Sequence, residues 1–443
     1  MRIFEFSDVN YEDHAVRRLL RNYVKIHRFS PAAPLTDKEM PRWRLLLRAL
    51  TIFPIALMSI LSRSIFTCAL VATLPLSLLA QESGPKPIAA KLQPFVDNHV
   101  LAGAVTLVAT RDKVLDLETV GYADVAAKKS MEPDSLFWIA SMSKPITVAA
   151  LMMLVDEGKV KVDDPVEKYL PEFKGQMVVA EHDDNHTLLR KPKHPILVRN
   201  ILSHTSGLSF KSPIEQPTLD LFPLATRVRS YASYPLMFEP DSKYQYSNAG
   251  INTAGRIIEV VSGQKYEDFL ENRLFKPLGM KDTTFWPNAE QIARIAKSYK
   301  GTKDKSNIEE VQVDQLKYPL DDHQNRFPMP AGGLFSTAED IGRFGQMLLR
   351  GGEYGGKRYL SEAAVKQMTS RQTPAALKES YGFGYAVNGA TFGHGGAYST
   401  NISVDPQMGL VLVFMVQNAG WRNDDGKKIL PAFNATAVKV FGK

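Results

Sequence analysis

A serine and a lysine stand three residues apart where a helix is predicted to begin. Ser141 and Lys144 follow the apolar run 137–140, and Pro145, which a helix tolerates only in its first turn, places the helix start close to Ser141. Residues three apart lie on one helix face, so we expect the Lys144 amine beside the Ser141 hydroxyl. Serine becomes a nucleophile when a neighbour takes its proton, which a desolvated, neutral lysine can do. The pair therefore predicts covalent catalysis.

The Ser-x-x-Lys pattern alone is weakly specific. A second copy, at Ser262 and Lys265, has the composition of an ordinary helix end. Taken by itself, Ser141 would fit a plain helix cap with a solvated lysine nearby. The catalytic interpretation therefore depends on two further patterns downstream.

Tyr246 and Asn248 form the only Tyr-x-Asn of the chain, directly before a helix predicted over 251–261. A buried tyrosine that shares a proton with lysine can act as a general base, and an asparagine amide can hold a substrate carbonyl. In isolation, a core tyrosine followed by a helix-capping asparagine would be the better interpretation. The pattern gains weight only in combination with Ser141 and Lys144.

A glycine-rich stretch, His394-Gly395-Gly396-Ala397, ends one predicted strand, and another strand is expected from about residue 400. Glycines there let a substrate backbone approach the strand edge closely. The Ala397 amide could join the Ser141 amide in an oxyanion hole. The alternative is a glycine-rich hairpin with a surface histidine.

Short apolar strands are predicted near both ends of the body of the chain, with helices between them. The strands are 103–109, 114–120, 385–387, 391–394, 400–404 and 410–416, and the clearest helices are 143–157, 251–261, 337–350 and 429–440. This order implies that the two ends share one sheet. We therefore expect an α+β fold with an antiparallel sheet built from both ends of the chain and flanked by helices. A second, mainly helical lobe is expected at about 165–370.

Together, Ser141-x-x-Lys144, Tyr246-x-Asn248 and His394-x-Gly396 resemble the penicillin-recognising serine hydrolases in order and rough spacing. The resemblance extends over about residues 86–420. The tyrosine of the second motif is similar to the class C β-lactamase branch, which includes esterases and D-Ala-D-Ala carboxypeptidases. Supporting stretches are 138–147, 202–208, 277–280 and 331–334.

This resemblance implies a β-lactamase/transpeptidase-like fold and a role for each matching residue. Ser141 would be acylated, while Lys144 and Tyr246 would share the base role. The remaining implied roles are oxyanion-hole amides at Ser141 and Ala397, binding of the acyl amide by Asn248, and substrate contacts at His394, Gly395 and Gly396.

The third motif departs from the β-lactamase pattern. His394 stands where those enzymes carry a lysine, and Gly395 where they carry a threonine, and both of those residues help to bind the substrate carboxylate. Histidine is largely neutral at pH 7 and supplies less positive charge. The departure favours a carboxylesterase-like activity on an ester or a peptide-like amide. β-Lactamase, D-Ala-D-Ala carboxypeptidase or D-aminopeptidase activity, and a sensor that acylates without turnover, are the alternatives.

Other histidines and serines of the chain have simpler interpretations. No Gly-x-Ser-x-Gly elbow occurs, which argues against an α/β-hydrolase. His182 and His186 lie in a charged stretch without a His-Glu-x-x-His pattern, so we expect a solvated loop, no metal and no cofactor. The stretch 204–207 is predicted to be a turn at a helix end, with Gly207 as the left-handed cap.

The net charge of +7 is unevenly distributed. Residues 1–48 carry ten basic and six acidic side chains, whereas residues 81–443 carry 43 basic and 41 acidic ones. A nearly balanced body lacks the electrostatic footprint of a nucleic-acid binder. The family resemblance implies a small-molecule or cell-wall peptide substrate instead. Cys68 is the only cysteine, which excludes a disulfide or a thiol nucleophile in the body.

An uncharged, mostly apolar stretch, 64–80, follows Arg63 and precedes a polar segment. This is the layout of a secretory signal with cleavage after Ala80. Met58 would start a signal peptide of ordinary length, 58–80, in which case 1–57 would be an extension ahead of the true start.

The alternative is a cytoplasmic tail followed by a membrane anchor, because 49–80 carries a single charge and is long enough to span a bilayer. In both cases residues 81–443 are expected to be exported to the periplasm or secreted. Contact with the membrane would then occur only through the N-terminal segment.

Overall fold

Strands from the two ends of the body pair in one seven-stranded antiparallel sheet, as predicted. The computed structural model describes residues 86–442. Across the sheet the strands are ordered Ala386–Asn388, Thr391–Gly395, Asn401–Asp405, Leu410–Met415, Gly103–Thr110, Val114–Asp124 and Lys129–Ser130. The first and last parts of the body meet in the central pair, where Val105 lies opposite Met415 and Thr110 opposite Leu410. The predicted α+β fold is confirmed.

The central strands are apolar throughout because helices cover both faces of the sheet. All six residues of Leu410–Met415 are buried, and alternate side chains point to opposite faces. Leu412 and Phe414 pack in the cluster formed with the first and last helices, whereas Val411 and Val413 pack in the large cluster beneath the remaining helices. Two apolar layers therefore hold the sheet.

The described helices pack against this sheet, and all but the first and the last lie in sequence between its N-terminal and C-terminal strands. They are Pro87–Asp97, Ser143–Asp156, Val198–Leu202, Leu224–Ala232, Asn248–Ser262, Tyr266–Leu270, Lys276–Leu278, Ala289–Arg294, Ala338–Leu349, Glu362–Thr369 and Ile429–Phe441. The smaller strands are Phe137–Trp138, Val178–His182, Thr187–Arg190, Ser298–Gly301, Ile308–Val311, Phe335–Ser336, Glu353–Tyr354, Lys357–Arg358 and Asn418–Gly420.

Most helix ends read from the sequence coincide with the structural ones. Gly158 and Gly263 adopt φ values of +70° and +69° just after their helices, a conformation that glycine reaches without steric cost. Thr337 caps its helix by accepting a hydrogen bond from the Asp340 N–H at 3.3 Å. Gly207 is left-handed as predicted, with φ +80°, but it does not cap the helix: the helix ends at Leu202, and His204 is the first left-handed residue after it, with φ +61°.

Some N-terminal predictions fall outside the described residues. These are the extension 1–57, the signal or anchor at 58–80 and the cleavage after Ala80. Within residues 86–442, no helix is both long enough and apolar enough to cross a membrane.

Candidate active site

Ser141 lies in a tight turn that the structure holds in an unusual backbone conformation. The 3-10 turn Ala140–Met142 leads into the helix Ser143–Asp156, called the nucleophile helix below. Ala140 has φ +44°, a left-handed conformation that costs a residue with a Cβ about 1–2 kcal/mol. The Ser143 hydroxyl donates to the Ala140 carbonyl at 2.7 Å and helps to hold that conformation. Ser141 itself is partly exposed, so its hydroxyl is accessible.

Lys144 is buried beside Ser141, as the spacing predicts. Its Nζ lies 3.0 Å from Ser141 Oγ, 2.8 Å from Asn248 Oδ1 and 2.7 Å from the Ala331 carbonyl oxygen. Among residues 86–442, no carboxylate forms an ion pair with this amine. Burial lowers the pKa of Lys144 well below its usual value of 10.5.

The three neighbours of Nζ orient the amine when it is neutral. A neutral amine has two N–H groups and one lone pair. The Asn248 Oδ1 atom and the Ala331 carbonyl can only accept, so each takes one N–H. The lone pair is then left for the third neighbour, the Ser141 hydroxyl, which can donate its proton to Nζ. This is the arrangement that a general base requires.

Tyr246 lies between Ser141 and the third motif. Its side chain is hydrogen-bonded to Ser141, and its hydroxyl lies 3.4 Å from His394 Nε2. The Lys144 Nζ lies 4.6 Å from the centre of the Tyr246 ring. Burial raises the pKa of the Tyr246 phenol above its usual value, and the hydrogen bond to Ser141 opposes this only in part. The phenol is therefore protonated at neutral pH.

The helix Asn248–Ser262, called the Asn248 helix below, begins with the second motif. Ser247, not Asn248, caps it: Ser247 Oγ accepts from the Gly250 N–H at 3.1 Å and donates to the Ser209 carbonyl at 2.7 Å. The interpretation of Asn248 as a helix cap is therefore wrong. Because Ser247 does the capping, the Asn248 side chain can turn toward Lys144 instead.

The third motif contributes a neutral histidine. His394 is buried near the end of the strand Thr391–Gly395, and its Nδ1 lies 2.7 Å from the Gly395 carbonyl. A carbonyl only accepts, so Nδ1 carries the proton and Nε2 faces Tyr246 as an acceptor. Burial, together with the nearby Lys144 charge, lowers the pKa of His394 to about 3. The alternative of a surface histidine is wrong.

The glycines of the third motif allow its backbone to approach the nucleophile turn. A Cβ on Gly396 would lie 2.6 Å from the Ile139 carbonyl, two residues before Ser141, whereas one on Gly395 would make only ordinary contacts at 3.6 Å. Ala397 follows in an exposed turn. Within residues 86–442 its N–H meets no acceptor. The structure thus brings the three motifs together, with a free amide beside them.

His204 forms part of the wall behind Tyr246. It is buried, and its Nδ1 accepts from the Ser247 N–H at 3.2 Å. Its ring centre lies 4.5 Å from that of Tyr246 and 4.9 Å from that of Tyr381. Burial lowers its pKa well below the usual 6.5. The contacts agree with the predicted structural turn, and they add a packing contact to Tyr246 that the sequence did not indicate.

The Ala331 carbonyl is a part of the site that sequence reasoning missed. The stretch 331–334 contributed to the resemblance but received no chemical role, because a backbone acceptor leaves no side-chain signature. The second Ser-x-x-Lys copy has the predicted geometry of a helix end, with Lys265 exposed beyond Gly263. His182 and His186 are exposed on a hairpin. In residues 86–442, no three His, Cys, Asp or Glu side chains are grouped as metal ligands.

Comparison with known proteins gives an extended match. A family model described as beta-lactamase matches residues 88–435. Protein Rv1367c of Mycobacterium tuberculosis is 31% identical over 363 residues, which cover 74% of this chain and 89% of that protein. A Salmonella typhimurium protein, provisionally named D-alanyl-D-alanine carboxypeptidase, is 27% identical over 369 residues, covering 73% of this chain and 81% of that protein.

Solved structures share the fold at lower identity. EstCE1, a hydrolase with promiscuous acyltransferase activity, is 24% identical with a TM-score of 0.66, covering 80% of this chain and 97% of its own. Unliganded simvastatin synthase (LovD) of Aspergillus terreus is 18% identical with a TM-score of 0.67, covering 80% of this chain and 99% of its own. At these identities the likeness concerns the fold alone.

Proposed function

The chain belongs to the beta-lactamase family of serine hydrolases, which act through an acyl-enzyme, and on that premise we propose that it hydrolyses an uncharged ester through acyl-Ser141. The observation that carries this proposal is the buried Lys144. Its Nζ lies within hydrogen-bond distance of Ser141, Asn248 and Ala331, and in the neutral amine the last two take the N–H groups and leave the lone pair for the Ser141 hydroxyl. The resemblance stated from three short motifs is confirmed at the level of the family.

In the acylation step the Ser141 proton passes to Lys144 while Oγ attacks the ester carbonyl. The carbonyl oxygen becomes an oxyanion, which the Ser141 and Ala397 amides would stabilise. When the tetrahedral intermediate collapses, the bond to the alcohol oxygen breaks. The alcohol then leaves with the proton held by Lys144, directly or through the Tyr246 hydroxyl. Asn248 would contact the acyl group while holding Lys144.

Deacylation requires the same groups in reverse. A water molecule takes the place of the alcohol and gives a proton to the Lys144–Tyr246 pair as its oxygen attacks the acyl carbonyl. The Ser141–acyl bond breaks, and Oγ recovers a proton from the pair. Because the base that activates Ser141 can also activate water, the site favours turnover over a permanent adduct.

The third motif supports an uncharged substrate. His394 occupies the place where a cation would bind a substrate carboxylate, and it is neutral above about pH 3. The aromatic rings of Tyr244, Tyr246 and Tyr381 lie against the buried His204, so this side of the site is lined by uncharged rings. A carboxylate placed there would lose its water without gaining an ion pair.

A substrate panel tests this proposal. We expect p-nitrophenyl acetate to be hydrolysed with a higher kcat/KM than nitrocefin or a D-Ala-D-Ala peptide, with a transient acyl adduct visible by intact-mass analysis. His394→Lys should raise kcat/KM for the two anionic substrates relative to the ester by about tenfold, the size of one charge-assisted hydrogen bond. A permanent adduct on every probe would contradict the hydrolase proposal and indicate a sensor that is acylated without turnover.

The second candidate is a D-Ala-D-Ala carboxypeptidase. It is favoured by the Salmonella typhimurium relative that carries that provisional name. In the same panel it would give the peptide the highest kcat/KM, and His394→Lys would not improve the ranking of the peptide over the ester. That outcome would overturn the ester proposal while leaving acyl-Ser141 in place.

The rate of acylation should fall as the pH drops. Lys144 accepts the Ser141 proton only when it is neutral, and burial lowers its pKa, so the base is active near neutral pH and is lost as acid protonates the Lys144–Tyr246 pair. We expect log kcat/KM to decrease by about one per pH unit on the acid limb. His394→Gln should not move the midpoint, because His394 titrates near pH 3. A flat profile from pH 5 to pH 9 would contradict the assigned base.

A further inference from the structure

We propose that Asn252 is a positioning residue for Lys144, acting through the backbone at Ala331. The inference rests on the proposed role of Lys144 as the base and extends it to a residue whose amide, within residues 86–442, binds Tyr231 and Ala331 rather than Lys144 or Ser141. It concerns the Ala331 carbonyl, which accepts from the second N–H of the Lys144 amine. That acceptor is a main-chain carbonyl, so its position depends on whatever holds the main chain.

The segment 330–334 passes between the nucleophile helix and the Asn248 helix, and side chains bind four of its five residues. Gly255 shows how close the approach is: a Cβ there would lie 2.4 Å from Pro330 Cγ. The side-chain contacts are Thr147 Oγ1 to the Pro330 carbonyl at 2.7 Å, Asn252 Oδ1 from the Ala331 N–H at 3.0 Å, Trp138 Nε1 to the Gly332 carbonyl at 2.7 Å, and Ser143 Oγ from the Leu334 N–H at 3.2 Å.

Two of these contacts hold a single peptide plane. The Pro330 carbonyl and the Ala331 N–H are the two ends of one peptide group, and Thr147 and Asn252 bind them from the two flanking helices. The next peptide group carries the Ala331 carbonyl that accepts from Lys144. Fixing the first plane therefore restricts the direction of that carbonyl. Of the two side chains, Asn252 is the one that binds at Ala331 itself.

The Asn252 amide is itself oriented by a chain of buried hydrogen bonds. Its Nδ2 donates to the Tyr231 hydroxyl at 2.9 Å, and that hydroxyl donates to Glu215 Oε1 at 2.7 Å. Glu215 Oε2 in turn accepts from the Ser212 N–H at 2.8 Å. With Nδ2 committed to Tyr231, Oδ1 is the atom presented to Ala331. The amides of Asn248 and Asn252 lie one turn apart on the same helix face. The Asn248 helix therefore holds Lys144 directly through Asn248, and indirectly through Asn252 and the Ala331 backbone.

Loss of the Asn252 amide should change both the rate and its pH dependence. Without it the Ala331 carbonyl can turn away, and Lys144 keeps one fixed acceptor instead of two, so its lone pair is no longer directed at Ser141. A charged amine needs acceptors more than a neutral one does, so the pKa of Lys144 should fall further. The acid limb of the acylation profile then moves to lower pH while the plateau decreases. A loss of folded protein would lower the plateau without moving the midpoint.

Asn252→Leu is the direct test, since leucine has a similar volume and no polar atom. We expect the plateau rate of p-nitrophenyl acetate acylation to fall about tenfold, KM to change by less than about twofold, and the midpoint to move to lower pH. The matched control is Thr253→Val: Thr253 is the next residue, equally buried, and donates only to the Ala249 carbonyl of its own helix at 2.8 Å. This control should leave both quantities unchanged.

Tyr231→Phe supplies a second variant if Asn252→Leu does not fold. It removes the hydroxyl that orients the amide and should shift the midpoint in the same direction by a smaller amount. An unchanged midpoint in whichever variant folds, or a rate equal to that of Thr253→Val, overturns the inference. Labelling of Ser141 by a fluorophosphonate distinguishes failure of the Asn252 inference from failure of the ester proposal. Labelling needs the Lys144 base but no particular natural substrate.

Discussion

Replacing Ser141 with alanine should abolish the covalent adduct and reduce kcat by roughly 10⁴- to 10⁶-fold, the range seen when a catalytic nucleophile is removed. Alanine cannot form the Oγ–acyl bond, and Lys144, Asn248 and Ala331 stay in place without a hydroxyl to activate. Substrate binding should change little, because Ser141 contributes one small side chain to a partly exposed turn. Intact-mass analysis after mixing with p-nitrophenyl acetate, together with steady-state kinetics, measures both effects.

The chain supplies its own control for this experiment. Ser262 is the first residue of the second Ser-x-x-Lys pattern, and its hydroxyl accepts from the Gln264 N–H at a helix end. Ser262→Ala should leave the adduct and the rate unchanged. An adduct that persists in Ser141→Ala would mean that another residue is acylated, and the assignment of the site would be wrong.

Replacing Lys144 with methionine should lower the acylation rate by between roughly 10² and 10⁴-fold, the usual contribution of a general base. Methionine has nearly the same length and fills the same buried space, but it cannot accept the Ser141 proton. The free Ser141 hydroxyl should still react slowly, so a weak adduct is expected after long incubation. Stopped-flow measurement of nitrophenol release in a single turnover gives the acylation rate directly.

Lys265 provides the matched control for the lysine. It stands in the same pattern as Lys144 but is exposed, three residues after Ser262. Lys265→Met should keep the wild-type acylation rate and the wild-type pH profile. Circular dichroism melting of both variants shows whether each is folded. If folded Lys144→Met acylates at the wild-type rate, Lys144 is not the base, and the proton must leave Ser141 by another route.

Local patterns in the sequence were enough to predict the main elements of the body. Apolar stretches near both ends predicted strands of one sheet, and the register of 105–110 against 410–415 confirms it. Helix ends at Gly158, Gly263 and Thr337 follow from short-range chemistry: a glycine that accepts a positive φ, and a hydroxyl that caps N–H groups. These signals act over a few residues, which is why the sequence contains them in full.

The errors arose where two neighbouring residues could fill the same role. Asn248 and Ser247 are both good caps; the structure uses Ser247, which leaves the Asn248 amide to accept from Lys144. Gly207 is left-handed as predicted, but the first left-handed residue after the helix is His204, whose buried ring packs against Tyr246. In both cases a tertiary contact outweighed a local preference.

By itself, the sequence determined the identity and order of the chemical groups: a serine with a lysine one turn away, a tyrosine with an asparagine, and a histidine followed by glycines. Only the tertiary structure decided how they act on one another. The lowered pKa of Lys144 comes from burial, and the direction of its lone pair comes from a carbonyl 187 residues further along the chain. Burial and backbone direction are created when distant segments pack together, so neither is written in any local stretch of residues.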